Sequence, residues 1–262
     1  MYKKLILISV DGMRPDGFLK CSNPFIEDLM AIGSYTLDAK TVLPSVTLPC
    51  HMSMFHSVPP QRHGILSNQY IPQVHKISGL FEQIKHSGKK SAMFYGWEPL
   101  RDISQPASLT FAEYINSYSD EGTDGMLTDS ALKCIKKNSP DFVFLYMVET
   151  DEKGGHDNGW MTDAYLGYIN KAIENIKRVI ESVGDEYEII VTADHGGHER
   201  THGSDCHEDT TIPMFFIGDS FEAGKVFENV SILDIAPTCA DVLGVIPAPE
   251  WEGKSLINHS KQ

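Results

Sequence analysis

Three histidines and an aspartate stand close together in residues 194–202, which read Asp-His-Gly-Gly-His-Glu-Arg-Thr-His. This segment follows the apolar run from Tyr187 to Val191, which predicts a buried strand. A strand that ends in Asp-His and then turns through two glycines delivers these side chains to the edge of a sheet. Imidazole and carboxylate together form a ligand set that suits Zn, Mn or Fe. The segment is therefore a candidate metal-binding loop, with the candidate ligands Asp194, His195, His198 and His202.

Two more predicted strands end in metal-binding residue types. Asp11 follows the run Lys4 to Val10, and the run Phe142 to Val148 leads into a segment that contains Asp151 and His156. Ligands of open α/β sheets bind at the carboxyl ends of the strands, so we expect three carboxylates and three or four histidines to face one edge. Such a set is large enough for two divalent ions, since each needs about four ligands.

The segment Thr41 to Ser53 supplies candidate nucleophiles. Thr47 stands just before a predicted helix, with Pro49 inside the first turn. A hydroxyl at the amino end of a helix lies at the positive end of the helix dipole, which favours an attacking alkoxide and a bound phosphate. An alternative role for Thr47 is that of a helix N-cap alone. Ser45 and Cys50 are rival nucleophiles on the same segment.

Short apolar runs alternate along the chain with helical patterns. This alternation is typical of an α/β fold with a mostly parallel central sheet and helices on both faces. The predicted strands are Lys4 to Val10, Lys90 to Phe94, Phe142 to Val148, Tyr187 to Val191 and Ile212 to Ile217. The predicted helices open at Asn23-Pro24, lie between Ser78 and Gly88, run from about Thr162 to Val183, and run from Asp234 to Leu243.

The domain organisation predicted from the sequence is simple. A chain of 262 residues is long enough for one large α/β domain with a well-buried core. The sequence contains no internal repeat, low-complexity tract or linker-like stretch. We therefore predict one domain over residues 1–262, with a small cap or insertion placed within 95–129, the least patterned region.

The charge and the cysteine content indicate which binding partners and which cellular compartment to expect. Lys and Arg total 22 against 36 Asp and Glu, a formal net charge of −14, which argues against a nucleic-acid scaffold as partner. Bound divalent ions would make the electrostatic potential around them positive. The negative net charge therefore does not exclude a small anionic substrate. The five cysteines lack CxxC spacing and favour reduced thiols in the cytoplasm. The apolar runs are too short for a transmembrane helix or a signal peptide, so we expect no membrane partner.

Taken in order, the motifs resemble one known family. They are Asp11-Gly12, Thr47-Leu48-Pro49, Arg62-His63-Gly64-Ile65 with Asn68, Asp151 to His156, Asp194-His195-Gly196, and His202-Gly203. This order is similar to that of the alkaline phosphatase superfamily, specifically its nucleotide pyrophosphatase/phosphodiesterase branch. The resemblance spans nearly the whole chain. It implies an α/β fold in which two zinc ions flank a threonine or serine nucleophile.

Carried over position by position, the resemblance implies two sets of metal ligands and a phosphate-binding residue. One ion would be held by Asp11, Thr47, Asp194 and His195, and the other by Asp151, His156 and His202. Asn68 matches the family's asparagine that donates a hydrogen bond to a phosphoryl oxygen. The implied cofactors are two divalent ions, with Zn favoured and Mn or Fe as alternatives. The implied mechanism is attack by the Thr47 oxygen on phosphorus, followed by hydrolysis of the phospho-threonine.

Two positions depart from the family's pattern. The family's interval between the aspartate and the following histidine is one residue shorter than the interval from Asp151 to His156, so Glu152 is an alternative ligand. The last metal-binding histidine of the family lies far downstream, whereas His202 follows His195 by only seven residues. His198 and His207 are therefore alternatives to His202, which is preferred because a glycine and a serine follow it.

The residue types around Thr47 indicate which of the reactions catalysed by branches of the superfamily this sequence favours. Sulfatases of the superfamily need a Cys or Ser two residues before a proline, whereas Cys50 follows Pro49 here. A threonine nucleophile with Asn68 favours phosphodiester or pyrophosphate bonds. The alternatives are a phosphomonoesterase, a phosphonate hydrolase, or a non-catalytic metal-binding protein. We expect a small phosphate-ester substrate, with a nucleotide as one candidate. The aromatic residues that would either stack on a base or belong to the core are Tyr95, Trp97, Phe111 and Tyr114.

Overall fold

The computed structural model describes residues 3–119 and 121–258. It contains a seven-stranded sheet in the order β2-β7-β6-β1-β5-β3-β4. The strands are β1 (Lys4–Val10), β2 (Ser34–Lys40), β3 (Ser91–Tyr95), β4 (Phe111–Tyr114), β5 (Phe142–Met147), β6 (Tyr187–Thr192) and β7 (Thr211–Ile217). β1 pairs in parallel with β5 and β6, and β3 pairs in parallel with β5 and β4. Only β7 runs against its neighbours β2 and β6. The prediction of a mostly parallel central sheet is confirmed.

The helices lie between these strands along the chain. They are α1 (Pro15–Lys20), α2 (Phe25–Ile32), α3 (Thr47–His56), α4 (Pro60–His63), α5 (Leu80–His86), α6 (Thr123–Asn138), α7 (Asp163–Val183), α8 (His207–Thr210) and α9 (Ile235–Leu243). A π-helix covers Thr150–His156, and 3₁₀ turns cover Glu98–Ile103, Gly184–Glu186 and Ile232–Asp234. The long helix α7 begins as predicted, because the Thr162 side chain accepts a hydrogen bond from the backbone N–H of Tyr165.

Helices cover both faces of the sheet. On one face, Phe55 of α3 packs against Phe144 of β5, with ring centroids 4.8 Å apart, and Phe81 of α5 packs against Phe142. The side chains between these positions point to the opposite face, since successive residues of a strand alternate. Among the other helices, α7 packs with α1, α2 and α6. The three central strands β1, β5 and β6 are buried along almost their whole length, which explains their continuous apolar sequences.

Two strands were not predicted from the sequence. β2 alternates polar and apolar residues, and β4 has only four residues, three of them exposed. β4 lies within 95–129, the range in which the sequence predicts a cap or insertion. It pairs with β3 and so extends the edge of the main sheet. None of the helices in the described part of the chain is sufficiently long and apolar to cross a membrane.

Candidate metal centre and active site

The carboxyl ends of three adjacent strands bring three aspartates together. Asp11 directly follows β1, Asp194 lies two residues after β6, and Asp151 belongs to the π-helix that follows β5. β5, β1 and β6 are neighbours in the sheet. All three carboxylates are buried, with at most 5% of each residue exposed. The structure thus places the predicted acidic ligands at one edge, where parallel sheets bind their ligands.

The first group of candidate ligands converges on His195. Its Nε2 atom lies 3.2 Å from Asp11 Oδ1 and 3.4 Å from Asp194 Oδ2. Thr47 Oγ1 lies 3.2 Å from the same nitrogen. The other three residues that the sequence resemblance assigns to this ion therefore all lie within 3.4 Å of His195 Nε2.

The second group surrounds Asp151. Its Oδ2 lies 3.4 Å from His156 Nε2, and its Oδ1 lies 3.9 Å from His202 Nε2. The His202 ring also stacks on His195, with centroids 3.8 Å apart. Candidate ligand atoms of Asp151, His195 and His202 all lie within 4.8 Å of one another. The two groups therefore adjoin, and His195 stands between them.

Each of the three histidines presents its Nε2 atom to the carboxylates. The Nδ1 atoms of His156, His195 and His202 lie 2.7–3.0 Å from the backbone carbonyl oxygens of Arg200, Gly196 and Ser45, respectively. A carbonyl only accepts hydrogen bonds, so each Nδ1 carries the proton and each Nε2 carries a lone pair. Histidines that bind metals are oriented by such a hydrogen bond from the second ring nitrogen.

The aspartates lack partners at the atoms that face this centre. Within the described residues, Asp11 Oδ1, Asp151 Oδ1 and Asp194 Oδ2 are buried without a hydrogen bond. Burial, and secondarily the nearby carboxylates, raises the pKa of Asp11 and of Asp151 well above the usual range, and burial raises the pKa of Asp194 to about 7. Buried charges are normally paired or coordinate metals. The donor set, with imidazole lone pairs facing orphaned carboxylate oxygens, therefore fits divalent cations.

The side-chain hydroxyl of Thr47 reaches this centre. Thr47 is the first residue of α3, and Val46 takes the N-cap position without a capping hydrogen bond from its own side chain. The alternative role of Thr47 as an N-cap is therefore wrong. The rival nucleophiles are engaged elsewhere, since the Ser45 hydroxyl donates to the Ser204 carbonyl and Cys50 is fully buried. Burial, reinforced by the Asp194 charge, raises the pKa of the Cys50 thiol far above its usual value.

Asn68 is exposed and anchored at the amino end of α3. Its Oδ1 accepts a hydrogen bond of 3.0 Å from the backbone N–H of Leu48, the residue after Thr47. The amide oxygen is thereby occupied by the helix, which leaves the Nδ2 group as the donor for a ligand. This arrangement suits the phosphoryl-binding role that the resemblance implies.

The π-helix explains the long interval between Asp151 and His156. The backbone N–H of Asp157 bonds to the Glu152 carbonyl five residues earlier, as a π-helix requires. This wider turn brings residues five apart close together, so the extra residue is absorbed. Glu152 lies outside the cluster and accepts a hydrogen bond from the Tyr118 hydroxyl.

The other alternative ligands also lie outside the cluster. His198 Nδ1 lies 2.7 Å from Asp209 Oδ1, and His207 Nδ1 lies 3.1 Å from Thr211 Oγ1. Neither histidine therefore replaces His202 in the structure. The aromatic side chains proposed to stack on a base pack at least partly against the core: Tyr95, Trp97 and Phe111. Tyr114 is 39% exposed.

Two supporting residues escaped the sequence analysis, and a third, Gly12, entered it only as part of the Asp11-Gly12 motif. The Tyr146 hydroxyl donates to Asp11 Oδ2 from the neighbouring strand. His51, one turn after Thr47, lies 3.5 Å from Asp194 Oδ2, and its other ring nitrogen contacts Ser9. Gly12 has φ +66°, and a Cβ there would stand 2.9 Å from Asp151 Oδ1. Of the three, only Gly12 could be recognised from the sequence, because it follows Asp11 in an Asp-Gly pair. Tyr146 could not, because a tyrosine in an apolar strand resembles any core residue.

Sequence comparisons with known proteins find a matching family and several relatives. The family model described as type I phosphodiesterase/nucleotide pyrophosphatase matches residues 5–210. The phosphopentomutase of Clostridium kluyveri is 30% identical over 161 residues, which cover 61% of this chain and 39% of the mutase. Ectonucleotide pyrophosphatase/phosphodiesterase family member 1 of Rattus norvegicus is 25% identical over 222 residues, which cover 73% of this chain and 24% of that protein. The matches thus span well under half of these relatives.

Solved structures show the same fold. An inactive form of murine ectonucleotide pyrophosphatase/phosphodiesterase 5, in complex with AMP, has a TM-score of 0.82 at 15% identity, and the match covers 96% of this chain and 97% of that one. A phosphonate monoester hydrolase from Silicibacter pomeroyi has a TM-score of 0.77 at 16% identity and covers 97% and 76%. The fold is that of the alkaline phosphatase superfamily. The chain belongs to the type I phosphodiesterase/nucleotide pyrophosphatase family, and the predicted resemblance is confirmed.

Proposed function

We propose that this protein is a two-metal-dependent hydrolase that cleaves phosphodiester or pyrophosphate bonds through a phospho-threonine intermediate. The observation that carries the proposal is the position of Thr47 Oγ1, 3.2 Å from His195 Nε2 and beside carboxylates whose inward oxygens lack partners. A site that only stores metal has no use for a hydroxyl at this point, because the carboxylates and imidazoles already supply its ligand atoms.

The two ligand sets of the sequence analysis fit the donor geometry described above. Asp11, Thr47, Asp194 and His195 would hold one ion, and Asp151, His156 and His202 would hold the other. Bound ions supply Lewis-acid stabilisation of the charges on the attacking and leaving oxygens. The ligand set of oxygen and imidazole nitrogen favours Zn, with Mn or Fe as alternatives.

The chain's own residues provide the nucleophile and orient the substrate. The Thr47 hydroxyl gives up its proton to solvent and Oγ1 attacks phosphorus. A bond from Oγ1 to phosphorus forms, the bond to the leaving oxygen breaks, and the leaving group departs as an anion or takes a proton from solvent. Asn68, whose Oδ1 is held by the Leu48 N–H, donates through Nδ2 to a phosphoryl oxygen. Water then attacks phosphorus, the bond from phosphorus to Thr47 Oγ1 breaks, the phosphate product leaves, and a proton from the attacking water restores the Thr47 hydroxyl.

The comparisons support a small phosphate ester as the substrate class. The structural neighbour solved with AMP supports a nucleotide-like substrate. The phosphonate monoester hydrolase and the phosphopentomutase support the second candidates, phosphonate and monoester chemistry at the same centre. We favour the diester because a threonine nucleophile and Asn68 are the residues present.

The test is hydrolysis of a nitrophenyl phosphodiester and of the matching monoester, with metal content measured on the same preparation. We expect about two metal equivalents and faster cleavage of the diester. Faster cleavage of the monoester would move the function to a phosphomonoesterase. If the protein holds its full metal content but hydrolyses neither the diester, nor the monoester, nor phosphonate esters, the result would favour a non-catalytic metal-binding protein.

We also infer a cytoplasmic location. All five cysteines are free thiols, and three of them are buried. Reduced, unpaired cysteines fit a reducing compartment. Formation of disulfides during secretion of the full chain would argue against this location.

A further inference from the structure

A second cluster of metal-binding residue types lies outside the proposed active site. It consists of His198, Cys206 and Asp209, and we call it the loop-base cluster. One candidate ligand atom from each residue lies within 4.8 Å of the other two. His198 Nδ1 is 2.7 Å from Asp209 Oδ1 and 3.7 Å from Cys206 Sγ. The three side chains thus surround one point.

The carboxylate of this cluster is held rigidly. Asp209 is fully buried, and its second oxygen accepts hydrogen bonds from the backbone N–H and the hydroxyl of Ser204, at 2.9 and 2.8 Å. Its first oxygen faces His198 and Cys206. Carboxylates that bind metals are commonly oriented by hydrogen bonds of this kind.

The cluster closes the base of the segment that carries His202. Asp209 also accepts a hydrogen bond at its backbone carbonyl from the N–H of Gly196, at 2.9 Å. His198 and Thr201 exchange backbone hydrogen bonds of 2.9 Å, which fold the segment into a tight loop. A link between His198, Cys206 and Asp209 therefore fixes both ends of the loop on which His202 stands.

We propose that the loop-base cluster binds a further divalent ion, of the zinc class, that secures this loop. One imidazole nitrogen, one thiolate and one carboxylate form a mixed set that zinc accepts in tetrahedral sites, with a solvent molecule in the remaining position. On binding, the Cys206 thiol releases its proton to solvent. The His198 proton moves from Nδ1 to Nε2, which reaches solvent because the side chain is 36% exposed.

Cobalt provides a specific readout for this site. Thiolate bound to Co²⁺ gives an intense charge-transfer absorption in the near ultraviolet, whereas the proposed active-site ligands contain only nitrogen and oxygen. We therefore expect this absorption when the chelated protein is loaded with Co²⁺. Cys206→Ser should abolish it and should lower the bound cobalt by one equivalent. The matched control is Cys134→Ser, which alters another partly exposed thiol and should change neither quantity.

The readout does not depend on hydrolysis, so it separates this proposal from the proposed function. The Thr47→Ala protein should keep the absorption, since Thr47 lies outside the cluster. Absence of the band in the folded wild-type protein at saturating Co²⁺ would overturn the proposal. Persistence of the band and of the full cobalt content in Cys206→Ser would overturn it as well. His198→Ala gives a second variant, in which the same loss of one equivalent is expected.

Discussion

The Thr47 hydroxyl oxygen lies 3.2 Å from Nε2 of His195, although 148 residues separate the two in the sequence. The contact joins the first turn of α3 to the loop after β6. Because His195 Nδ1 donates to the Gly196 carbonyl, the nitrogen that faces Thr47 carries a lone pair. A hydroxyl and an imidazole lone pair that share one buried space are complementary to a cation between them.

Replacement of Thr47 tests the nucleophile. Thr47→Ala should lower hydrolysis by at least about 1,000-fold, because it removes the proposed nucleophile while the rival hydroxyl of Ser45 is engaged with the Ser204 carbonyl. Thr47→Ser keeps a hydroxyl and should retain measurable activity. Initial rates and metal content should be measured for both, with Ser67→Ala as an exposed hydroxyl control. Activity in Thr47→Ala at the wild-type level would exclude the phospho-threonine intermediate.

The pair Asp151 and Glu152 tests the ligand register in the π-helix. Asp151→Asn should weaken metal binding at least about 100-fold and reduce activity with it, because its carboxylate faces both His156 and His202. Glu152→Gln should leave metal content nearly unchanged, since Glu152 contacts Tyr118 instead. Metal titration of both variants checks this, and the opposite order of effects would assign the ligand to Glu152.

Removal of the metals should invert the pH dependence of stability around Asp194. Burial raises the pKa of its carboxyl from 3.8 to about 7 in the metal-free fold. This group therefore stabilises the fold fully below pH 3.8, and the stabilisation is lost as the pH rises through about 7. Bound cations require ionised carboxylates, so the loaded protein should gain stability over the same range.

Urea unfolding of chelated protein at about pH 5 and about pH 8 measures this effect. The control is Asp194→Asn, whose amide oxygen can still accept the N–H groups of Gly12 and His195. The chelated variant should be more stable than chelated wild type at the higher pH, by up to about 4 kcal/mol. Equal stability of the two proteins at both pH values would contradict the prediction.

Tyr146→Phe tests the support of Asp11. The lost hydroxyl donates to Asp11 Oδ2, so the carboxylate should be held less well and metal affinity should fall about 10- to 100-fold. Tyr187→Phe is a matched control, because it removes a strand tyrosine hydroxyl that bonds to the Pro140 carbonyl instead. Isothermal titration with Zn²⁺ distinguishes the variants. Equal affinities would assign Tyr146 to the core alone.

The sequence allowed the prediction of those residues whose position follows from topology. Asp11 stands directly after one apolar run and Asp194 shortly after another, and neighbouring parallel strands end at the same edge. Their convergence follows once the strands are recognised. Thr47 was identifiable for a similar reason, because proline in the first turn indicates where α3 begins.

The remainder depends on contacts that no periodicity encodes. β2 and β4 were missed because polar or very short edge strands lack the continuous apolar pattern of buried ones. The bond from Tyr146 to Asp11 depends on the register between β1 and β5, in which Ser9 pairs with Tyr146. Likewise, the fixation of Asp209 by Ser204 depends on the folding of a loop rather than on any repeat.

Because residues Thr150–His156 form a π-helix, the number of residues between two ligands can change without moving the ligands apart. An aspartate and a histidine four residues apart in a tighter turn, or five apart in a wider turn, can reach the same metal centre. A motif search that fixes the interval from the aspartate to the histidine would therefore pass over this chain. Distances between side-chain atoms, rather than intervals along the sequence, are what such a centre holds constant.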